Sequence, residues 1–336
     1  MIASLTTLRT GGPAHRLVVA ETDADVIAAV TVADEAGEPV TILGGGSNVV
    51  ISDDGLPGSV VLIRTRGIEA SVDDCAGAWV SVAAGEPWDD VVAQAIAQQW
   101  SGIEALAGIP GLTGATPIQN VGAYGQEVSD TIARVTAYDR RERHREVLAA
   151  GDCGFGYRTS RFKAEPDRYV VLSVEFQLRL GPLSAPVRYA ELAQRLGIEV
   201  GERAPLADVR DAVLDLRAGK GMVLDPADND TWSVGSFFTN PIVVESLLPE
   251  GAPRWAQPDG SVKTSAAWLV ERAGFPRGYP GDGPVRVSTK HTLALTNRGD
   301  ATTADVLALA RTIRDGVRER FGIELVPEPT LLGCSL

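Results

Sequence analysis

"TILGGGSNVVI", from Thr41 to Ile51, joins a short apolar run to three consecutive glycines, then Ser47-Asn48, then a second β-branched run. Glycines after a strand let backbone N–H groups approach a phosphate, because they lack Cβ and tolerate positive φ. The residues upstream support a strand here. "HRLVVA" (His15–Ala20) and "VTIL" (Val40–Leu43) read as strands, and between them Val26, Ile27 and Val30 recur at helical spacing. Thr22 and Asp23 offer N-caps and Gly37 a stop, which makes a βαβ-like unit ending at the glycine turn. Downstream, "VVISDDGLPGSVVLI" is a polar loop between β-branched residues. It cannot be the long helix that a Rossmann dinucleotide turn opens. A tight turn between strands explains the three glycines as well as a ligand does, so the stretch alone settles a strand–loop fold and not a function.

The rest of the chain alternates in the same way. "AWVSVAAG" (Ala78–Gly85) reads as a strand and "PWDDVVAQAIAQQW" (Pro87–Trp100) as a helix with proline in its first turn. "RVTAYDRRERHREVL" (Arg134–Leu148) predicts a hairpin, and "YVVLSVEFQLRL" (Tyr169–Leu180) the longest strand. From about residue 205 the character changes. An amphipathic stretch, Pro205–Lys220, is followed by a Gly/Asp/Pro-rich loop to about Ser233. "SAAWLVERAG" (Ser265–Gly274) predicts a short helix ending at glycine, and "HTLALTN" (His291–Asn297) a strand. Thr303 to Phe321 is the clearest helix, with Val306, Leu309, Ala310, Ile313, Val317 and Phe321 on one stripe, and "IELV" (Ile323–Val326) is expected to close the chain as a strand. The expectation is an α+β protein with mixed sheets in two or three domains.

Composition narrows the function classes. The chain has 336 residues, 44% hydrophobic and 22% charged, which suits a globular protein with a substantial core. No apolar run approaches the length of a membrane span, and "MIASLTTLRTGG" lacks a basic start followed by an apolar segment, so an unexported, cytoplasmic protein is expected. Cys75, Cys153 and Cys334 lie far apart without CxxC spacing, and His15, His144 and His291 are the three histidines. That pattern predicts isolated thiols and no metal. The net charge of −13 argues against a nucleic-acid partner but leaves room for a small phosphorylated ligand held locally.

Four further stretches carry side chains suited to chemistry. "GIPGLTGATPIQNVGAYGQEV" (Gly108–Val128) interleaves glycines with Thr113, Thr116, Gln119 and Asn120 and is stiffened by Pro110 and Pro117. It suits a rigid wall around a large polar cofactor, and equally an Ω-loop packed on itself. "GFGYRTSRFK" (Gly154–Lys163) gathers Tyr157, Arg158, Ser160, Arg161 and Lys163 as an anion receiver or a solvated surface loop. "VGSFFTNP" (Val234–Pro241) sets Ser236 between a glycine and two aromatics, which suits a reacting hydroxyl kept from water and equally a turn before a core strand. It lacks the GxSxG elbow of a hydrolase, so Ser236 is expected to supply a proton or a hydrogen bond. "ELVPEPTLLG" (Glu324–Gly333) holds Glu328 between two prolines, in a pattern shared by exposed acidic turns.

Taken in order, "GGGSN", "GIPGLTGATPIQNVGAYG", "GYRTSRFK", "GSFFTNP" and the terminal "PEP" resemble the UDP-N-acetylenolpyruvoylglucosamine reductase (MurB) family, with support from "TLRTGGPA" and "SAAWLVERAG". The resemblance spans essentially the whole chain. It implies a vanillyl-alcohol-oxidase (PCMH)-type FAD-binding module of two subdomains, residues 1–65 (completed by 326–336) and 66–204, then a C-terminal α+β substrate domain, residues 205–325. It implies noncovalent FAD at Gly44, Gly45, Gly46, Ser47 and Asn48 and at Pro110, Gly111, Gln119, Asn120, Gly122, Ala123, Tyr124 and Gly125. NADPH would reduce the flavin, which would pass hydride to the enolpyruvyl ether of a UDP-sugar, giving UDP-N-acetylmuramate. Arg158 and Glu328 would stabilise the intermediate and Ser236 would donate the proton. Tyr189, Lys220, Asn240 and His291 would contact substrate, and Tyr189 points to the subclass similar to the enterobacterial enzyme. A monomer is expected.

Two other readings compete. A different FAD oxidoreductase of the same fold class would act on an alcohol or lactone and often tether flavin through His or Cys, but neither His15 nor Cys75 sits in an attachment motif. A nucleotide-binding regulator without catalysis predicts loss of Arg158, Ser236 or Glu328, and all three are present.

Overall fold

The computed structural model describes residues 1–336, which divide into two units with separate cores. One, the large-sheet unit, comprises residues 15–45 and 57–218; the other, the C-terminal unit, comprises 1–14, 46–56 and 219–336. This two-way division crosses the three-part division expected from sequence, because the chain leaves the large-sheet unit for residues 46–56 and then returns.

In the large-sheet unit, Thr22 and Asp25 form a reciprocal capping box at the start of the helix Asp23–Ala36. Gly37 ends that helix at φ 67°. The strands on either side, Ala14–Ala20 and Val40–Leu43, do not pair with each other. Leu56–Ile63 lies between them and runs parallel to Val40–Leu43, with Leu43 opposite Leu62. The βαβ-like expectation thus holds with one strand inserted. A larger antiparallel sheet follows the order His144–Ala149, Ile132–Asp139, Tyr169–Leu180, Gly77–Ala83, Ile68–Asp73. Ala78, Val80 and Val82 alternate inward there, as period-two burial requires. The helix Trp88–Ala97 anchors this core. Trp88 is 1% exposed, donates Nε1–H to the Leu106 carbonyl at 3.0 Å and packs its ring, tilted, 5.7 Å from that of Phe176. The expected helix to Trp100 stops three residues early, because Gln99 turns to φ 56° and Trp100–Ser101 joins the edge of Tyr169–Leu180 as a strand.

In the C-terminal unit, the helix Thr303–Phe321 starts at a Thr302/Asp305 capping box and ends at Gly322. Val306, Ala310, Ile313 and Val317 form its buried stripe, against Leu269 and Val270 of the helix Ala266–Arg272 and against Phe237 and Phe238. Its first N–H groups, on Thr303 and Ala304, donate to the Asp53 carboxylate at 2.8 and 2.9 Å. Two sequence expectations fail here. Ile323–Val326 is not a strand: Ile323 and Leu325 are buried alternately, but Pro327 and Pro329 lack N–H donors and no ladder forms. The closing strand is Thr330–Leu332, parallel to Val49–Ile51. Of His291–Asn297 only Leu295–Asn297 is a strand, because the Ala294 N–H closes a turn onto the His291 carbonyl. No helix of the chain is long and apolar enough to cross a membrane.

Candidate active site

The two glycine-rich stretches meet within the large-sheet unit. Gly44 and Gly45 leave the strand Val40–Leu43 and pass Leu112 and Gly111. A Cβ on Gly45 would lie 2.8 Å from the Gly111 Cα, so the two main chains approach this closely only with glycine at position 45. The start of the second loop is fixed to the helix behind it. Gly111 accepts from the Trp88 N–H at 3.1 Å, and Gly108 donates to the Asp89 carboxylate at 2.6 Å. Burial alone would push the Asp89 carboxyl up, but the Arg210 guanidinium, bidentate at 2.7 and 2.9 Å, and the Gly108 N–H hold it below the usual range. Half-buried Pro110 and Gln119 lie along the same loop.

Asn120 is 1% exposed and its amide is committed to the loop itself. Its Nδ2 donates to Glu127 at 2.8 Å and to the Gly156 carbonyl at 3.2 Å, while Oδ1 accepts from Ser129 N–H. Gly122-Ala123 then pairs with Gln126-Glu127 around Tyr124-Gly125, whose φ values of 49° and 83° are those of a type I′ hairpin turn. Onto this loop comes Arg158, itself at φ 53°, donating to the carbonyls of Gly122 at 2.7 Å and Asn120 at 3.3 Å. Lys163 donates to the Arg158 carbonyl at 3.1 Å, whereas Arg161 pairs with Glu165. The basic cluster of the sequence therefore splits, and Arg158 belongs to the glycine loop. Tyr189 meets Tyr124 edge to face at 5.5 Å. Burial pushes the Tyr124 phenol up to about 12, with Arg217 opposing and Glu191 and Tyr189 reinforcing, so Tyr124 stays an O–H donor at neutral pH.

In the C-terminal unit three motifs lock together through main-chain contacts. Gly46 sits at φ 63°, and a Cβ there would lie 2.0 Å from the Leu5 carbonyl oxygen. Its own carbonyl accepts from Thr7 N–H at 3.1 Å, while Thr7 Oγ1 donates to the Ser233 carbonyl at 2.6 Å. Half-buried Ser47 follows, and the Asn48 carbonyl accepts from Thr330 N–H at 3.0 Å. Ser236 bridges Ala294 on one side, and Phe238 bridges Pro327. Glu328 N–H donates to the Phe237 carbonyl at 2.8 Å, so the backbones bearing Ser236 and Glu328 are adjacent. Ser236 Oγ lies 3.3 Å from His291 Nε2. Asn240 Oδ1 accepts from Ala266 N–H at 2.9 Å, at the start of the helix Ala266–Arg272. Lys220 is half-buried, just past the end of the helix Leu206–Gly219. The sequence reading quoted Thr7 only as the first residue of "TLRTGGPA" and gave it no role of its own. Its partners lie 39 and 226 positions away, and no local signal announces them.

A family model described as the C-terminal domain of UDP-N-acetylenolpyruvoylglucosamine reductase matches residues 225–332, and one described as an FAD binding domain matches residues 14–147. The UDP-N-acetylenolpyruvoylglucosamine reductase of Cutibacterium acnes is 58% identical, covering 100% of this chain and 90% of the relative. That of Streptomyces coelicolor is 56% identical, again over 100% of this chain and 90% of the relative. Among solved structures, the UDP-N-acetylenolpyruvylglucosamine reductase (MurB) of Thermus caldophilus is 25% identical with a TM-score of 0.68, over 99% of this chain and 97% of that one.

Proposed function

This chain belongs to the UDP-N-acetylenolpyruvoylglucosamine reductase family, and we propose that Arg158, Ser236 and Glu328 carry out its chemistry. The protein is an FAD-dependent oxidoreductase that reduces UDP-N-acetylglucosamine enolpyruvate to UDP-N-acetylmuramate with NADPH, in peptidoglycan precursor synthesis. The glycine contacts suit FAD: where Gly45 and Gly111 touch, side chains are absent and backbone amides can reach a pyrophosphate. Gly44, Gly45, Gly46, Ser47, Asn48, Pro110, Gly111, Gln119, Asn120, Gly122, Ala123, Tyr124 and Gly125 are the residues that would hold it. Bound FAD supplies the carrier that takes hydride from NADPH and gives it to the enolpyruvyl double bond.

The chain's residues handle the charge and the proton. Addition to the enol ether leaves negative charge at the carbon beside the carboxylate, drawn out as an enolate. Arg158, held by the Asn120 and Gly122 carbonyls, is the cation for that charge; Glu328, fixed between two prolines, is the acid; Ser236 delivers the proton to carbon. Tyr189, Lys220 and Asn240 are assigned to the diphosphate and sugar, in the manner of the subclass similar to the enterobacterial enzyme. The observation that best supports these roles is the pairing of the Ser236 segment with the Glu328 segment, which sets a hydroxyl donor and a carboxyl group on neighbouring backbones. The three-part domain scheme (1–65 with 326–336, 66–204, 205–325), the cytoplasmic setting, the monomeric state and the absence of nucleic-acid or membrane partners belong to the same proposal.

Replacement of Ser236 by alanine tests it. NADPH should still reduce the flavin at near the wild-type rate, while reoxidation by the enolpyruvyl substrate falls about 10²- to 10⁴-fold, the usual worth of a positioned acid. Equal loss in both half-reactions would contradict the proton-donor role.

A further inference from the structure

We propose that His291 is a positioning residue for Ser236: its Nε2–H donates to Ser236 Oγ, turns the hydroxyl proton away from the imidazole and steadies the oxygen as that proton leaves. The inference rests on the reading of Ser236 as proton donor and goes further, naming what makes an ordinary hydroxyl serviceable. A serine hydroxyl is a very weak acid, so a transfer from it to carbon gains from a donor already in place at the oxygen.

Three features carry the argument. The first is the contact, 3.3 Å between Oγ and Nε2, joining residues 55 positions apart. The second is the backbone register beneath it. Ser236 bridges Ala294 and Phe237 N–H donates to the Leu293 carbonyl at 2.7 Å, so the two side chains arise from paired segments. The third is the restraint on the turn that carries His291. Ser288 Oγ accepts from the N–H groups of Lys290 at 3.0 Å and His291 at 3.2 Å. Asp230 accepts from Thr289 N–H at 3.0 Å, Lys290 is ion-paired to Asp228, and Thr292 Oγ1 donates to Glu271. Every residue from Ser288 to Thr292 is thus tied down. A ring that only met solvent would gain nothing from such anchoring.

The step balances as a simple proton transfer. A C–H bond forms at the enolate carbon as the Ser236 O–H bond breaks, and the O–H electron pair stays on Oγ. The negative charge moves from the enolate to that oxygen, where the His291 N–H meets it, and a solvent proton restores the serine. A direct substrate contact by His291, the role expected from the family resemblance, has a different kinetic signature.

The experiment uses holoenzyme reduced with NADPH and mixed in stopped flow with increasing enolpyruvyl substrate, for wild type, His291→Ala, His291→Gln, Ser236→Ala and the double variant. The expected result for His291→Ala is a limiting rate of flavin reoxidation down about 10- to 100-fold, a part of what a general acid supplies. Substrate Kd should stay within about twofold, and reduction by NADPH should be unchanged, which also reports an intact fold. His291→Gln, with an amide N–H able to reach Oγ, should recover most of the rate. The solvent isotope effect on the limiting rate should rise in His291→Ala, and the same change should cost nothing further in the Ser236→Ala background. A raised Kd with the wild-type limiting rate, or a full additive loss in the double variant, would overturn the positioning role. If Ser236→Ala itself reoxidises normally, the proton-donor reading fails first; if only His291→Ala does, that reading stands and this inference falls.

Discussion

Gly45 and Gly46 are adjacent in sequence yet glycine for different reasons. At Gly45 the obstacle is another backbone, the Gly111 Cα; at Gly46 it is the Leu5 carbonyl together with positive φ. Gly46→Ala should therefore act on stability, costing about 2–4 kcal/mol from overpacking plus left-handed strain, read as a lower urea midpoint at constant slope. Gly45→Ala should act on cofactor retention: parting the two loops should weaken FAD binding about tenfold or more, measured by flavin release on dilution. Both glycines were visible in "GGGSN", but their separate obstacles were not, since Leu5 and Gly111 come from distant segments. The same limit applied to chemistry. Ser236, Arg158 and Glu328 stood out by motif, whereas the hydroxyl's neighbour depended on a pairing across 55 residues that no local pattern encodes. Asn120 shows the reverse case, a conspicuous polar residue whose side chain turns out to brace its own loop.

Elements were legible where periodicity was long and their ends carried caps. The strand Tyr169–Leu180 and the helix Thr303–Phe321 have the bounds read from sequence, because a twelve-residue run rich in β-branched and aromatic residues, or nineteen amphipathic residues, outweighs local noise. Thr302→Ala, which breaks the capping box of that helix, should cost about 1 kcal/mol in a thermal or urea melt. Short apolar runs misled: Ile323–Val326 has the alternation of a strand but is followed by prolines that deny it a ladder. The hairpin Ile132–Asp139/His144–Ala149 is closed by Asp139, which accepts from Arg168 at 2.9 Å and from the N–H groups of Arg141 and Glu142. Burial would push its carboxyl up, but those hydrogen bonds and the Arg168 charge hold it below its ordinary 3.8. A depressed carboxyl stabilises the fold above its unfolded value and loses that contribution as pH falls through the folded one. Asp139→Asn should accordingly cost about 2–3 kcal/mol at pH 7, with the gap from wild type closing below about pH 4. A gap that does not change with pH would contradict the ion-pair account.

At the scale of the whole molecule, each unit has its own core and its own portion of the residues proposed for the site. Arg158, Tyr189 and the second glycine loop belong to one; Ser236, Glu328, His291, Lys220 and Asn240 belong to the other. The turn from Gly44 to Asn48 is split across the division, with the cut after Gly45. Sequence showed that this turn opens no helix, and hence no Rossmann site. It could not show the split, because domain membership is set by packing partners and not by the turn's own residues. The cysteines bear on the cofactor. All three are free, and burial pushes the Cys153 thiol up to about 11, leaving it a poor nucleophile for tethering flavin. Purified protein should be yellow and release its flavin on denaturation. The most direct test of the central claim is stopped-flow oxidation of the NADPH-reduced flavin under anaerobic conditions. Rapid reoxidation on adding UDP-N-acetylglucosamine enolpyruvate, with UDP-N-acetylmuramate formed in equal amount, is the predicted result. A reduced flavin that persists unchanged in the presence of that substrate would contradict the account.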